Sequence, residues 1–244
     1  MKHKPYKDLK SSKKEQIIMM FDRIAKTYDR LNGLITFGMD KNWRKHVAKM
    51  IAKNNPDNIL DVATGTGALA IDLAQQSSGK IVGIDIAEEM LALGRKKIKH
   101  LGIDDRITMR LDDAEQLSFD SNMFDAVSVG FGVRNFENLH QGLSELLRVL
   151  KPGGQLVILE TAVPKYFPFK QGYYLYSNII IPILGKIISK DKLAYEYLSD
   201  SAGIFPDGEK FNAILKEVGF MRVIDNPQAL GIVSIYSAIK KLDN

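Results

Sequence analysis

The chain has 244 residues, 45% of them apolar, which suits one α/β domain with additions. It has no Cys, which excludes disulfides, thiolate nucleophiles and thiolate metal sites and fits a reducing cytoplasm. The net charge of +5 comes from residues 1–14, where Lys2, Lys4, Lys7, Lys10, Lys13 and Lys14 face one acid, Asp8. The other 230 residues net to zero. A basic tail on a neutral body argues against nucleic acid, which takes basic residues spread along a binding face. Such a tail is expected to be solvated or to touch anionic lipid. No apolar stretch follows the basic start, so no signal peptide is expected.

Residues 1–244 read as one domain: a basic tail over 1–14, N-terminal helices over 15–54, and an insertion over 165–202. Ile17, Ile18, Phe21, Ile24, Ala25, Tyr28 and Leu31 recur at helical spacing and predict a helix over 12–32. A second helix runs from about Asp40 to Lys53, where Asn54-Asn55-Pro56 breaks it. Asn58–Val62 reads as a buried strand, Gly65 and Gly67 as a tight turn, and a helix begins near Ala68. Further strands are expected at Lys80–Asp85, before Arg110, at Phe124–Val129, and after the Pro152-Gly153-Gly154 turn. This alternation implies a parallel sheet with helices on both faces and a ligand at the carboxyl ends of its strands.

The pattern breaks at 165–202, where Tyr166, Phe167, Phe169, Tyr173, Tyr174, Tyr176, Tyr195 and Tyr197 crowd together. Ile179–Leu184 is apolar, but Ser177, Asn178, Pro182 and Lys186 interrupt it. That is short of the roughly 18 apolar residues a membrane span needs. A helical insertion fits better, serving as a lid over the site or as core. A helix over 207–218 then leads to strands near 220–225 and 231–240. About five residues join them, too few for a parallel crossover, so an antiparallel hairpin is expected.

The glycine turn and Asp85 set up a nucleoside site. Gly65 and Gly67 lack Cβ atoms and let a ligand approach the backbone. A carboxylate ending the second strand can accept both hydroxyls of a ribose. Gly65-x-Gly67-x-x-Ala70 also fits a dinucleotide. Asp61 tips the balance toward S-adenosylmethionine: a carboxylate there suits a cationic or ammonium-bearing ligand and repels a pyrophosphate. The acids of Arg110–Glu115 stand where an adenine amino group could donate. The closing hairpin also favours a methyltransferase over a nicotinamide dehydrogenase.

The ordered set resembles the class I methyltransferase series. The resemblance implies an α/β, Rossmann-like, doubly wound seven-stranded sheet with a closing antiparallel hairpin, N-terminal helices and a helical lid insertion. More narrowly, the chain resembles the ubiquinone/menaquinone biosynthesis C-methyltransferase family over nearly its whole length. The residues that carry this are Tyr28-Asp29-Arg30-Leu31-Asn32, Ile35-Thr36, Asp40 to Trp43, Phe131-Gly132-Val133-Arg134-Asn135, and Arg148–Gly154 continuing to Glu160-Thr161-Ala162. Leu31, Thr36, Asp40 and Ala162 depart from the family's pattern, and no chemistry is assigned to Asp40.

The resemblance implies methyl transfer from S-adenosylmethionine to a ring carbon of a prenylated quinol, with demethylmenaquinol preferred to a benzoquinol of ubiquinone synthesis. Cofactor contacts would fall on Thr66, Asp85, Asp113 and Ala114, beside Asp61, Gly65 and Gly67 of the turn. Arg134 would stabilise the quinol oxyanion or position a water that takes its proton, and Asn135 would orient that water or the quinol. Arg134 could instead form a structural ion pair with Glu137. Tyr28 and Asn32 are substrate-pocket candidates, and Trp43 suits core packing. No metal site is expected. A polyprenyl tail would bring the enzyme from the cytoplasm to the inner face of the membrane. Self-association, another small-molecule substrate, and a non-catalytic role in a quinone-synthesis complex remain open alternatives.

Overall fold

The computed structural model describes residues 4–6, 8–188 and 191–242, with the side chains of 186–188 excepted. Lys2, His3, Lys7 and the Lys186 side chain lie outside the described residues. The sheet has seven strands in the order β3-β2-β1-β4-β5-β7-β6. In chain order these are β1 (Asn58–Val62), β2 (Lys80–Asp85), β3 (Ile107–Leu111), β4 (Phe124–Gly130), β5 (Leu150–Thr161), β6 (Met221–Gln228) and β7 (Val233–Ile239). The first five pair in parallel, whereas β7 runs antiparallel between β5 and β6. The order reverses between β1 and β4, which is where an open α/β sheet holds its ligand.

Helices α3 (Ala68–Gln76) and α4 (Glu88–Leu101) follow β1 and β2, and α5 (Leu139–Val149) follows β4. On one face, Leu143 and Leu146 of α5 and Phe211 and Leu215 of α9 (Glu209–Val218) pack against Val127, Val129 and Tyr236. On the other, Val47 and Ile51 of α2 (Met39–Ala52) join Leu69, Leu73, Leu91 and Ile98 over Ile59, Ile81 and Val157. The central strands are covered on both sides, so they read as mostly apolar runs rather than alternating ones.

Helix α1 (Lys13–Ile35) starts one residue from the predicted bound at 12, so Lys13 and Lys14 belong to the helix rather than to the tail. The cause is a capping box: the Glu15 amide donates to Ser12 Oγ at 3.1 Å, and the Ser12 amide donates to Glu15 Oε2 at 2.7 Å. The segment before it is also tied down. The Tyr6 ring is buried, its amide donates to Gln16 Oε1 at 2.9 Å, and its hydroxyl donates to Asp191 at 2.8 Å. Residues 4–6 and 8–14 therefore belong to a strap across the molecule rather than a solvated arm.

The insertion is helical: α6 (Phe169–Leu175), a π-helical turn (Tyr176–Ile180), α7 (Ile181–Ile188) and α8 (Lys192–Ile204). The widened turn has a local cause. Pro182 has no amide to give the carbonyl four residues back, and its ring crowds that carbonyl. Tyr195 and Tyr197 of α8 pack with Ile17, Met20, Ile24 and Leu31 of α1 in a third core. The aromatic stretch thus divides, part of it core and part of it lining the cavity described below. Among the described residues no helix is long and apolar enough to cross a membrane.

Candidate active site

Three cavities meet beyond the carboxyl ends of β1, β2 and β4. The first, about 70 Å3, runs beneath α1 and is bordered by Gly65, Asp85, Asp113, Ala114 and Asn135. The second, about 270 Å3, lies between α1, α2 and the glycine turn, and Asp61, Thr64, Gly65 and Thr66 border it. The third, about 610 Å3, is an apolar chamber under the insertion, walled by Trp43, Phe169, Tyr173, Tyr176 and Ile181, with Arg134 at its inner end. Tyr28 and Phe131 border all three.

Backbone strain marks that junction. Ala63 and Phe131, just past the ends of β1 and β4, hold φ of 53° and 56°. This left-handed region costs a residue with a Cβ on the order of 1–3 kcal/mol and persists where the surroundings enforce it. Here the Phe131 amide donates to the Leu159 carbonyl at 2.7 Å, and its ring packs edge-on against Trp43. Gly132 allows the close approach, since a Cβ there would stand 2.5 Å from that of Ala63. Gly67 borders none of the three cavities; it starts α3 at φ 78° with no side-chain cap, and the Ala70 amide of that first turn donates to Asp61.

Asp85 faces the first cavity and accepts the Gly65 amide at 2.8 Å and the Ala87 amide at 2.9 Å. Burial pushes its pKa up to about 6 against the pull of those amides. Asp61 is fully buried, with its two oxygens taking the Thr64 and Ser128 hydroxyls at 2.6 Å each. Burial pushes it, too, to about 6. Thr66 donates to Asp29 of α1 at 2.7 Å, and Lys97 pairs with the same carboxylate. Asp113 takes Lys14 of the strap at 2.6 Å and the Glu115 amide at 2.9 Å, while Ala114 is buried against the cleft.

The donor set can be tested against a ligand. Asp85, Asp112, Asp113 and Glu115 border the first cavity, and Lys14 is its one basic group among the described residues. Acids at this density repel a pyrophosphate, accept from ribose hydroxyls, an adenine amino group and an ammonium, and attract a sulfonium by charge. The site therefore fits S-adenosylmethionine, with its nucleoside in the first cavity and its amino-acid end in the second.

Arg134 lies in a 3-10 turn (Val133–Asn135) after β4, with its side chain 7% exposed. Its partner is Glu160 of β5, fully buried and 2.6 Å away, rather than Glu137. One amino group of Arg134 also donates to the Phe131 carbonyl at 2.8 Å, while Nε is buried without a partner. The Tyr28, Tyr173 and Tyr197 hydroxyls are all raised by burial, and the nearby Arg134 charge opposes that in each. Asn135 points toward the nucleoside cavity rather than into the chamber, and it accepts from the Tyr197 hydroxyl at 3.3 Å. Asn32 borders the chamber and the second cavity.

Sequence reasoning missed Glu160, Asp29 and the strap lysines. Glu160 stood in a recognised signature and Asp29 beside Tyr28, so position was the only available signal. Lys13 donates to the Arg134 and Phe136 carbonyls at 3.2 and 2.8 Å, holding the loop that carries Arg134. Asp40 accepts from Thr36 at 2.7 Å and pairs with Arg44, which also reaches Asp72 at 3.0 Å. Two departures from the family pattern thus bond to each other.

Residues 9–240 match the model of the ubiE/COQ5 methyltransferase family. A demethylmenaquinone methyltransferase of Bacteroides fragilis is 44% identical over 98% of this chain and 98% of its own. A ubiquinone/menaquinone biosynthesis C-methyltransferase of Geobacter sulfurreducens is 43% identical over 95% and 91%. A SAM-dependent methyltransferase structure from Thermotoga maritima superposes with a TM-score of 0.63 at 16% identity, over 92% of this chain and all of that one. The fold is thus that of the class I methyltransferases, the cofactor is S-adenosyl-L-methionine, and the chain belongs to the ubiE/COQ5 methyltransferase family.

Proposed function

We propose that the protein transfers the methyl group of S-adenosylmethionine to a ring carbon of demethylmenaquinol, giving menaquinol. The observation that carries this reading is the meeting of an acid-lined nucleoside cavity and a large apolar chamber at Tyr28 and Phe131, with a buried arginine at the chamber's inner end. The names of the relatives from Bacteroides fragilis and Geobacter sulfurreducens support the substrate class and carbon as the methyl acceptor.

The bound cofactor supplies an electrophilic methyl carbon next to a cationic sulfur, so the protein's task is alignment and charge. Asp85 would hold the ribose, Asp113 and Ala114 the adenine, and Asp61, Gly65 and Thr66 the amino-acid end. The quinol must lose a hydroxyl proton for its ring carbon to attack. Arg134 stays protonated and is no direct base; it would stabilise the oxyanion, with its proton leaving through a water. Glu160 holds the guanidinium in place and balances its charge, so the pair adds no net charge to the chamber. The ring carbon would then bond the methyl carbon as the carbon–sulfur bond breaks, and the ring proton would pass to water while the ring oxygen regains a proton, which restores the aromatic quinol. An oxyanion and a sulfonium are both neutralised in that step, which a dry chamber favours. Tyr28 and Asn32 would shape the ring's seat, and Asn135 supports the junction from the cofactor side. The polyprenyl tail would stay in the bilayer, which would bring the reaction to a membrane surface.

The test is transfer of labelled methyl from S-adenosylmethionine to reduced, short-tailed demethylmenaquinol, with a benzoquinol alongside. Product from the naphthoquinol is expected. Cofactor binding without product from either ring would sink the assignment.

A further inference from the structure

The chamber does not use all the apolar side chains gathered around it. From Phe169 to Ile188 the chain is helical without a break. Its inner side presents Tyr173, Tyr176 and Ile181 to the chamber. Its outer side presents Leu175, Ile179 and Ile183, spaced four apart and all exposed. Tyr166 and Phe167, in the loop before it, are 77% and 79% exposed. Among the described residues nothing in the fold covers this outer side.

Two observations say what does. First, the face is continuous with the chamber mouth. Phe37 is 75% exposed, borders the chamber, and packs its ring 6.1 Å from that of Tyr176. Phe169 likewise is both chamber wall and exposed surface. Second, the charge is one-sided. From Thr161 to Lys190 the sequence has four Lys and no acid, in a chain with 29 acids. Lys165 and Lys170 bracket the exposed aromatics and are themselves exposed. Exposed aromatic and aliphatic groups among lysines are the composition of a surface that lies in the headgroup layer of an anionic bilayer.

We propose that this face, from Tyr166 through Ile183 with Phe37, docks on an anionic phospholipid bilayer so that the chamber opens directly into the acyl chains. The use of the face rests on the polyprenyl-quinol reading; the face itself does not. The quinol head would enter the chamber while its tail stays in lipid.

The test uses the full chain and vesicles of phosphatidylcholine with or without phosphatidylglycerol. Wild type is expected to sediment with the anionic vesicles and to release as salt rises. Phe167→Glu with Ile179→Glu, neither bordering the chamber, should weaken partition about 10-fold or more while leaving turnover on a tail-less demethylmenaquinol unchanged. Lys165→Glu with Lys170→Glu should weaken partition about 10-fold on anionic vesicles. Phe167→Trp keeps the face apolar and reports by brominated-lipid quenching, so the proposal can be overturned even if the Glu variants fail to fold. Absence of quenching, wild-type partition in the double Glu variants, or a lipid-free dimer that buries Phe167 would overturn it. Vesicle binding without methylation of the tail-less quinol would break the substrate reading alone; methylation without quenching would break the docking face alone.

Discussion

The two halves of the site are built differently. The cofactor half stands on strand ends, with Gly65 after β1, Asp85 closing β2 and Asp113 after β3. It is small and lined with acids. The quinol half stands on α1, α2 and the insertion, segments added before and within the sheet unit, and it is large and apolar. Tyr28 and Asn32 of α1 and Phe131 of the β4 loop serve both. The division follows from what each half must do. A polar ligand is held by directional bonds, which need backbone fixed by a sheet; a greasy ligand needs area, which helices supply with few constraints on sequence.

The largest expected effect falls where the halves join. Arg134→Ala should lower turnover by on the order of 10²–10³ while S-adenosylmethionine still binds by calorimetry. Equal losses of turnover and binding would mean that Arg134 only supports the fold.

Asp85→Asn separates the halves from the cofactor side. Charged hydrogen bonds are worth about 1.5–3 kcal/mol each, so cofactor Kd should rise roughly 10- to 100-fold with the quinol KM unchanged. Its pH dependence sharpens the point. The carboxyl of Asp85 sits at about 6 in the free protein, and binding needs it ionised. Affinity should therefore weaken as pH falls below about 6, by up to tenfold per unit, and level off above it. Folding stability goes the other way. Both Asp61 and Asp85 are raised from 3.8 to about 6, so their contribution is present in full below 3.8 and is lost as pH rises through 6. Thermal melts of the free protein across this range check that sign.

Tyr176→Ala probes the other half. It removes a chamber wall and the hydroxyl that reaches the Ile35 carbonyl at 2.8 Å. The quinol KM should rise about tenfold while cofactor Kd stays put, because aromatic burial is worth on the order of 1–2 kcal/mol. The smallest effect belongs to Lys14→Ala. Its ion pairs with Asp113 and Glu115 are about one-third exposed on the lysine side, which limits them to roughly 1 kcal/mol. Removing a cation beside a cationic ligand should tighten cofactor Kd, by less than about fivefold.

The same division explains what could be read from the sequence. Strands β1 and β2 have the bounds their apolar runs suggested, because burial on both faces leaves little freedom. The hairpin followed from loop length alone. The Arg134–Glu160 pair was not legible, since its partners lie 26 residues apart on neighbouring elements and meet only once β4 and β5 are in register at Gly130 and Leu159. Glu137, close in sequence, misled. The strap failed for the opposite reason. Its lysines look like a solvated run, yet Ser12 and Glu15 cap a helix that brings Lys13 and Lys14 down onto the site.

Tyr28 and Phe131 wall all three cavities, so the two ligands are coupled to the extent that either one moves those rings. Whatever one ligand does to those rings alters the seat of the other, and the factor must be the same in both directions. The same geometry favours tethering: a single molecule joining an adenosine to a naphthalene ring would present its second half at high effective concentration once the first is seated. Such a conjugate would draw its selectivity from a wall that neither substrate alone fills.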